Sequence, residues 1–376
     1  MCSPCRCGAS AQPPLAGGSG VRALIAAGGT AGHVMPALAV ADELVREHVE
    51  VTFAGTSERA EATLVPSAGF PFDDFHVRGL ERRLSRRLAS AVVTDAAAPL
   101  ACLRILRRRR PDVVLGGGGF VAGPMLLAAR MLGIPSVLTE ADSHLGLANR
   151  LAAPLAVRVL LAYPIAGRDG PRYRVVGRPV ARAYFETDRA TARAALGLPG
   201  DAFVVAVFGA LAGARTLNDA CVEAYGADGI DNGIVVHVTG ARDHELVAGR
   251  VSAPADRYRV IAETPRFFEV LAAADLCVSR AGGTVWELAA AGLPAILVPY
   301  PHATQDHQRG NAEHFAAAGG AVIVDDAAFD GETLAASVAE LRTTPGRLHA
   351  MRAAMLVSAR PGAARAVADE LIALAR

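Results

Sequence analysis

Short apolar runs alternate with longer stretches whose apolar positions recur every three or four residues. Residues 21–26 form such a run, broken only by Arg22, and it reads as a buried parallel strand. Leu38, Val40, Ala41 and Leu44 then share one face of a helix. Further strands are expected at 51–54, 113–115, 136–138 and 157–161, with helical stretches between them. A turn-rich break follows at 165–171, and a strand at 203–208 opens a second half. A final helix covers 363–375. This alternation is the α/β doubly wound pattern.

At 376 residues, two domains are expected, divided near Arg182 as 21–182 and 183–362. Composition is 52% hydrophobic and 20% charged, which suits a globular chain. A net charge of +1 gives no global pull toward nucleic acid, and no nucleic-acid partner is expected. Every basic residue is arginine, which we attribute to genomic base composition. No run of 18 apolar residues is present, so no transmembrane helix is expected.

Cys2, Cys5 and Cys7 fall in residues 1–20, which read as a disordered extension. Their spacing hints at metal, but no second Cys/His pair follows at zinc-site spacing, and no metal is expected. The extension lacks the long apolar region of a signal peptide. Cys102, Cys221 and Cys277 read as buried thiols. The expected location is the cytosol, or the cytosolic side of a membrane.

The candidate chemistry centres on Ala26–Ala27–Gly28–Gly29–Thr30–Ala31–Gly32–His33, a glycine-rich turn between strand and helix. N–H groups at a helix start carry partial positive charge and attract phosphate. Thr30 and His33 stand where the dinucleotide fingerprint needs glycine, and a P-loop would need a lysine that the chain lacks. The turn therefore reads as a place where a diphosphate meets a histidine. A second glycine run, Gly116 to Gly119, also follows a strand. Four consecutive glycines exceed what a turn requires, so Gly117, Gly118 and Gly119 join Gly28 and Gly29 as candidate phosphate contacts. Between the two turns, ten arginines from Arg78 to Arg110 face only Glu81 and Asp95, and Leu80, Leu84 and Leu88 recur every fourth residue. Such a basic helix with an apolar stripe lies either on its own domain or on an anionic bilayer. Thr284 and Glu287 have the spacing of a capping box.

The first turn resembles the Gly-Gly-Thr-x-Gly-His opening of the MurG-type peptidoglycan N-acetylglucosaminyltransferases. The resemblance continues through Thr139–Glu140–Ala141–Asp142 to Asn149, similar to His-Glu-Gln-Asn-x-x-x-Gly-Leu-x-Asn with Asp142 in place of an asparagine. Gly177–Arg178–Pro179–Val180 resembles Gly-Asn-Pro-Val-Arg, with Arg178 replacing the asparagine and the arginine arriving one residue late, at Arg182. Gly209 to Arg215 resembles Gly-Gly-Ser-x-Gly-Ala-Arg, with Leu211 at the serine. The stretch from Arg280 to Glu287 and the segment ending Gln308–Arg309–Gly310–Asn311–Ala312 resemble the donor signature, the former one residue short of its commonest form.

The resemblance implies a GT-B fold, two Rossmann-like domains facing a cleft, with the final helix packed on the first. It implies an inverting transfer of N-acetylglucosamine from UDP-GlcNAc to the 4-hydroxyl of an undecaprenyl-linked muramyl-pentapeptide, with no cofactor. His33 is then the candidate general base, and Asp142 the second candidate. A helix N-terminus favours the neutral imidazole that a base needs. Implied donor and substrate contacts are Thr30, Ala31, Gly32, Asp142, Arg182, Leu211, Thr264, Gly283, Thr284, Val285, Trp286, Glu287 and Gln308. Glu287 would accept from the ribose hydroxyls. The bilayer-bound acceptor favours the anionic inner leaflet of the cell membrane as a partner for the basic stretch. Other readings are a UDP-sugar enzyme of the same fold, with another acceptor or with 2-epimerase activity, and a non-catalytic UDP-sugar-binding subunit.

Overall fold

A computed structural model describes residues 20–77, 86–209, 213–303 and 306–376, with 86–96 described by backbone alone. The extension with Cys2, Cys5 and Cys7, and Leu211, lie outside the described residues. The chain divides into two compact units, Met1–Pro179 with Gly362–Arg376, and Val180–Pro361.

In the first unit, β1 (Arg22–Ala26), α1 (Ala31–Arg46), β2 (Glu50–Gly55), α2 (Ala60–Ser67) and β3 (Phe72–Asp74) come first. Next are α3 (Arg86–Arg109), β4 (Val113–Gly116), α4 (Ala122–Met131), β5 (Ser136–Glu140), α5 (Leu147–Ala152), β6 (Arg158–Leu161) and β7 (Tyr173–Val175). The strands are all parallel, in the order β3-β2-β1-β4-β5-β6-β7. The apolar runs lack a polar face because both sheet faces are covered. Leu24, Ala26, Val114 and Leu138 pack in one core with residues of α3 and α4. Ala23, Ile25, Val113 and Val137 pack on the opposite face with α1. The edge strands β3 and β7 have three residues each and escape prediction, since β7 offers no buried apolar run. The turn-rich stretch 165–171 leads from β6 to β7 inside the first unit and does not divide the two.

The second unit runs α6 (Ala183–Glu186), α7 (Arg189–Ala195), β8 (Phe203–Phe208), α8 (Arg215–Tyr225), β9 (Gly233–Val238), α9 (His244–Ala248) and β10 (Tyr258–Ile261). It continues with α10 (Phe267–Ala273), β11 (Leu276–Ser279), α11 (Val285–Ala290), β12 (Ala295–Leu297), α12 (His307–Ala317), β13 (Ala321–Ile323), α13 (Gly331–Thr343) and α14 (Arg347–Ser358). Its parallel sheet has the order β10-β9-β8-β11-β12-β13. Cys221 and Cys277 are buried here, as Cys102 is in the first unit. Burial pushes the Cys102 and Cys221 thiols up to about 12.

Strand order reverses between β1 and β4 in one unit and between β8 and β11 in the other. Chain segments leaving adjacent strands toward opposite faces open a crevice at the strand C-termini, where α/β sheets bind ligands. Each pair of turns singled out in the sequence follows one of these strand pairs.

The last helix, α15 (Ala363–Ala375), returns to the first unit. Val367, Ala368 and Leu371 complete the core on the α1 side of the sheet. Glu370 lies 3.2 Å from Arg158 and 3.8 Å from Arg174, which tie the helix to β6 and β7. Leu371 is fully buried, so Leu371→Ala should cost about 2–5 kcal/mol, the range for a buried leucine truncation. Urea denaturation of the variant against the parent checks this; a loss under about 0.5 kcal/mol, the range of surface changes, would show that α15 is only loosely docked.

Candidate active site

The turn after β1 is built on a buried carboxylate that the sequence does not advertise. Glu61, on α2, is fully buried. Its Oε2 accepts the Gly29 N–H at 2.9 Å, and its Oε1 accepts the N–H and hydroxyl of Thr56 at 3.0 and 2.6 Å. A Cβ on Gly28 would stand 2.3 Å from Glu61 Oε1, so only glycine lets the backbone come so near.

Helix α1 then starts at Ala31, with Thr30 extended at its N-cap. The Thr30 hydroxyl does not cap the helix; it lies 3.2 Å from His33 Nδ1. Pro36 sits inside α1 and has no N–H to return to the carbonyl four residues earlier, that of Gly32. Arg178 supplies the missing donor, its Nη2 donating to Gly32 O at 2.5 Å.

The turn after β4 lies directly against this one. The Gly117 N–H donates to Ala26 O at 2.8 Å. A Cβ on Gly118 would be 2.7 Å from His33 Cδ2, and one on Gly119 2.3 Å from Gly28 O. Gly118 and Gly119 also have φ of 96° and 76°, in the left-handed region. The glycine run thus serves contact between the two turns and the imidazole. The N–H groups of Gly29 and Gly117, both proposed as phosphate contacts, are already committed inside the fold.

A third loop leaves β5. Glu140 is buried, and its carboxylate accepts the N–H groups of Ala141 (2.9 Å), Asp142 (3.1 Å) and Gly146 (3.0 Å) and the Asn149 amide (2.9 Å). Burial pushes the Glu140 carboxyl above the usual range, against the Asn149 hydrogen bond that lowers it. Arg178 Nη1 reaches Ala141 O at 3.3 Å. One guanidinium thus holds the residues that precede His33 and Asp142, and so brings the two candidate bases into one neighbourhood.

In the second unit, the turn after β8 is equally tight where it is described. A Cβ on Gly209 would be 2.2 Å from Ala214 Cβ, and one on Gly213 2.2 Å from Thr239 O. Thr239 O is held by the Asn218 amide at 3.2 Å, which also donates to Asp243 Oδ2 at 3.2 Å. Asn218 Oδ1 therefore faces His237 Nε2, 2.9 Å away, and must accept its proton. The neutral ring then takes the Tyr258 hydroxyl at Nδ1, 2.7 Å away. Burial holds His237 far below the usual imidazole range, at about 3.

After β11, Gly283 and Thr284 are half-buried in a turn that opens α11. Thr284 already has helical angles (φ −59°, ψ −18°), and its side chain makes no cap bond, so the threonine half of the expected capping box does not form. Val285 and Trp286 turn their side chains into the core, Trp286 packing on Phe315 with ring centroids 5.3 Å apart. Glu287 is half-buried, and its charge is one cause of the raised Tyr184 hydroxyl, after burial. Gln308 Oε1 accepts the Tyr300 N–H at 2.9 Å, which leaves its amide nitrogen 4.0 Å from where a Gly282 Cβ would stand. The Asn311 amide donates to Ala281 O at 3.2 Å, so α12 holds this turn. Thr264 Oγ1 accepts the Arg266 N–H at 3.1 Å, and the edge-on Phe208–Phe267 pair, 4.7 Å between centroids, draws that loop to the end of β8. Arg182 is exposed, 4.0 Å from Glu186.

Glu61, Arg178 and the His237–Asn218 pair are absent from the sequence-based site. Glu61 carries a faint signal, an acidic residue in the first turn of a short helix. A proline five residues into α1 announces an orphan carbonyl, but not the residue that answers it.

The glycosyltransferase family 28 N-terminal domain matches residues 23–161, and the glycosyltransferase family 28 C-terminal domain matches 204–367. The chain is 38% identical over 368 residues to the UDP-N-acetylglucosamine–N-acetylmuramyl-(pentapeptide) pyrophosphoryl-undecaprenol N-acetylglucosamine transferase of Desulforudis audaxviator, covering 94% of this chain and 99% of that one. It is 41% identical over 358 residues to the protein of that name from Methylococcus capsulatus, covering 92% and 97%. Among solved structures it is similar to Acinetobacter baumannii MurG, with a TM-score of 0.73, 27% identity, and 94% and 99% of the two chains covered.

The His237 environment sets a pH dependence. The unfolded chain takes up a proton on this ring near pH 6.5, whereas the folded chain resists until about pH 3. Stability is therefore complete above the unfolded value and falls as pH drops through that window, by about 1.4 kcal/mol per pH unit at most. Between pH 6.5 and 5, above the carboxylate range, urea midpoints of the parent should fall more steeply than those of His237→Asn. Parallel curves would show that His237 is not held neutral.

Proposed function

Because this chain belongs to glycosyltransferase family 28, we propose that it moves N-acetylglucosamine from UDP-N-acetylglucosamine to the 4-hydroxyl of undecaprenyl-diphospho-N-acetylmuramyl-pentapeptide. This is the lipid I to lipid II step of peptidoglycan synthesis. The names of its full-length relatives support both substrates. The observation that carries the mechanism is the placement of His33, at the start of α1, between two glycine turns, with its Nδ1 beside the Thr30 hydroxyl.

The transfer is one displacement. A base removes the proton of the acceptor hydroxyl, the oxygen attacks C1 of the sugar, and UDP leaves with inversion. His33 acts as that base through Nε2 when its Nδ1–H donates to Thr30 Oγ1, the tautomer that puts the basic lone pair on Nε2. Thr30 is thus the orienting partner, and Asp142 is the second candidate base. With the Gly29 and Gly117 N–H groups committed, the diphosphate of the acceptor is left to Gly28, Gly118, Gly119 and the opening turn of α1. In the second unit, Glu287 accepts from the ribose, Gln308 and Thr284 line the same turn, and Val285 and Trp286 contribute main chain alone.

No helix among the described residues is long and apolar enough to cross a membrane. Peripheral attachment to the anionic inner leaflet is supported by an apolar surface on three packed helices. Leu100 on α3, Leu127 and Met131 on α4, and Leu147 and Leu151 on α5 are 57%, 39%, 61%, 46% and 62% exposed. Arg104, Arg107, Arg130 and Arg150 are exposed among them. Apolar residues ringed by arginine suit the boundary between acyl chains and acidic headgroups. The side chains of Arg82, Arg83, Arg86 and Arg87, in the same basic stretch, lie outside the described residues.

The deciding assay measures UDP release with and without the lipid acceptor. Release only when acceptor is present supports the transfer; turnover of UDP-GlcNAc without it points to epimerase chemistry, and binding without turnover to a non-catalytic subunit. His33→Ala should lower kcat about 10²–10⁴-fold, the usual range for a lost general base, with donor KM little changed. Thr30→Val should lower kcat by a smaller factor, since it removes only the orienting contact. Full activity of the alanine variant would shift the base to Asp142.

A second measurement concerns the surface. The protein should sediment with anionic vesicles at low salt and be released as salt rises. Exchanging Arg104, Arg107, Arg130 and Arg150 for glutamine should weaken that binding while leaving the melting temperature intact. Binding that ignores both salt and these exchanges would assign the patch another role.

A further inference from the structure

Arg178 carries a charge that its recorded partners do not need. The side chain is only 5% exposed, and its two hydrogen bonds go to the carbonyls of Gly32 and Ala141. Any neutral amide could satisfy two carbonyls. A guanidinium has five N–H groups, so three remain without a recorded acceptor among the described residues. A buried cation is costly unless an anion pairs with it.

The neighbouring acids do not fill that need. Glu61 is occupied by Gly29 and Thr56, and Glu140 by four N–H donors of its own loop. Among the described residues, no carboxylate lies within ion-pair distance of Arg178. The opening turn of α1, which the guanidinium touches at Gly32, adds the positive end of a 16-residue helix. Two sources of positive potential thus converge beside His33.

We propose that Arg178 is the cation that receives the diphosphate of the acceptor, an inference that rests on the acceptor assignment made above. Guanidinium offers a fork of donors matched to phosphate oxygens, which an amide or a point charge cannot reproduce. The acceptor's diphosphate is attached at C1 of the muramyl ring and the nucleophile is the 4-hydroxyl across it. An arginine fixed to Gly32 therefore anchors one end of the sugar while the next residue, His33, meets the other. Binding of the anion and placement of the base become one event, because both depend on the first turn of α1.

The test uses the full chain with UDP saturating the donor side and inorganic pyrophosphate as the probe. Calorimetric titration should show pyrophosphate binding to the parent, a loss of at least about tenfold in Arg178→Gln, and a smaller loss in Arg178→Lys, which keeps the charge without the fork. In steady-state assays Arg178→Gln should raise the acceptor KM about tenfold with the donor KM within about twofold. A parent that does not bind pyrophosphate, or a glutamine variant that binds it as well as the parent, overturns the proposal. So does a lysine variant damaged as much as the glutamine one, because a clamp on two carbonyls has no use for charge. If the glutamine variant does not fold, the lysine variant decides alone: retained binding supports the site and lost binding overturns it. Arg178-dependent pyrophosphate binding in a parent that transfers no sugar supports the anion site and refutes the acceptor assignment instead.

Discussion

The first unit depends on how closely two turns can approach. Strands β1 and β4 are hydrogen-bonded neighbours, with Ala26 opposite Gly116, and the chain leaves them for opposite faces of the sheet. The turns that follow must therefore share the space above one strand pair. They do so at a separation that leaves no room for a Cβ at Gly117 or Gly119. His33 is pressed into this contact, its ring against Gly118 and its Nδ1 beside Thr30. An alanine in the second turn would displace the imidazole before it disturbed the sheet, so packing and chemistry are the same constraint here.

Turns this tight have backbone groups that cannot pair with each other, and buried polar side chains pair with them instead. Glu61 takes the N–H of Gly29, Glu140 takes three N–H groups of its loop, and Arg178 takes the carbonyl that Pro36 leaves orphaned. The second unit solves the matching problem with neutral groups. Its chain of Tyr258, His237 and Asn218 ends on the Thr239 carbonyl, against which Gly213 is packed. Burial holds the histidine of that chain unprotonated, and the Asn218 amide beside it also donates to the Asp243 carboxylate at 3.2 Å.

The inner strands of the first sheet, β8 of the second and the two pairs of turns were legible because apolar runs and glycine punctuation are local signals. Strands buried on both faces reveal themselves as uninterrupted Val, Leu, Ile and Ala; the three-residue edges β3 and β7 do not. The site was legible as far as its backbone motifs. The packing role of the second glycine run was not, since contact between turns some 90 residues apart has no local signature. Thr284 shows the converse: the spacing with Glu287 fits a capping box, yet the helical geometry begins one residue early. Trp286 stands in a signature segment, but its ring belongs to the core beside Phe315. Position in a motif does not say which way a side chain points.

Asp142 and Arg178 show why substitutions in a site should be read together. Each stands where the resembled pattern has a neutral asparagine. Taken singly, Asp142 adds a negative charge near a loop already holding Glu140, and Arg178 adds a buried positive one. Taken together they leave the formal charge of the neighbourhood unchanged, and the structure links them through one peptide, since Arg178 grips the carbonyl of Ala141, the residue just before Asp142. At the other end it grips the residue just before His33. A charge placed at that junction raises the potential seen by both candidate bases and by any anion beside them. Both candidate bases are thus positioned by one buried side chain, through the peptides that precede them.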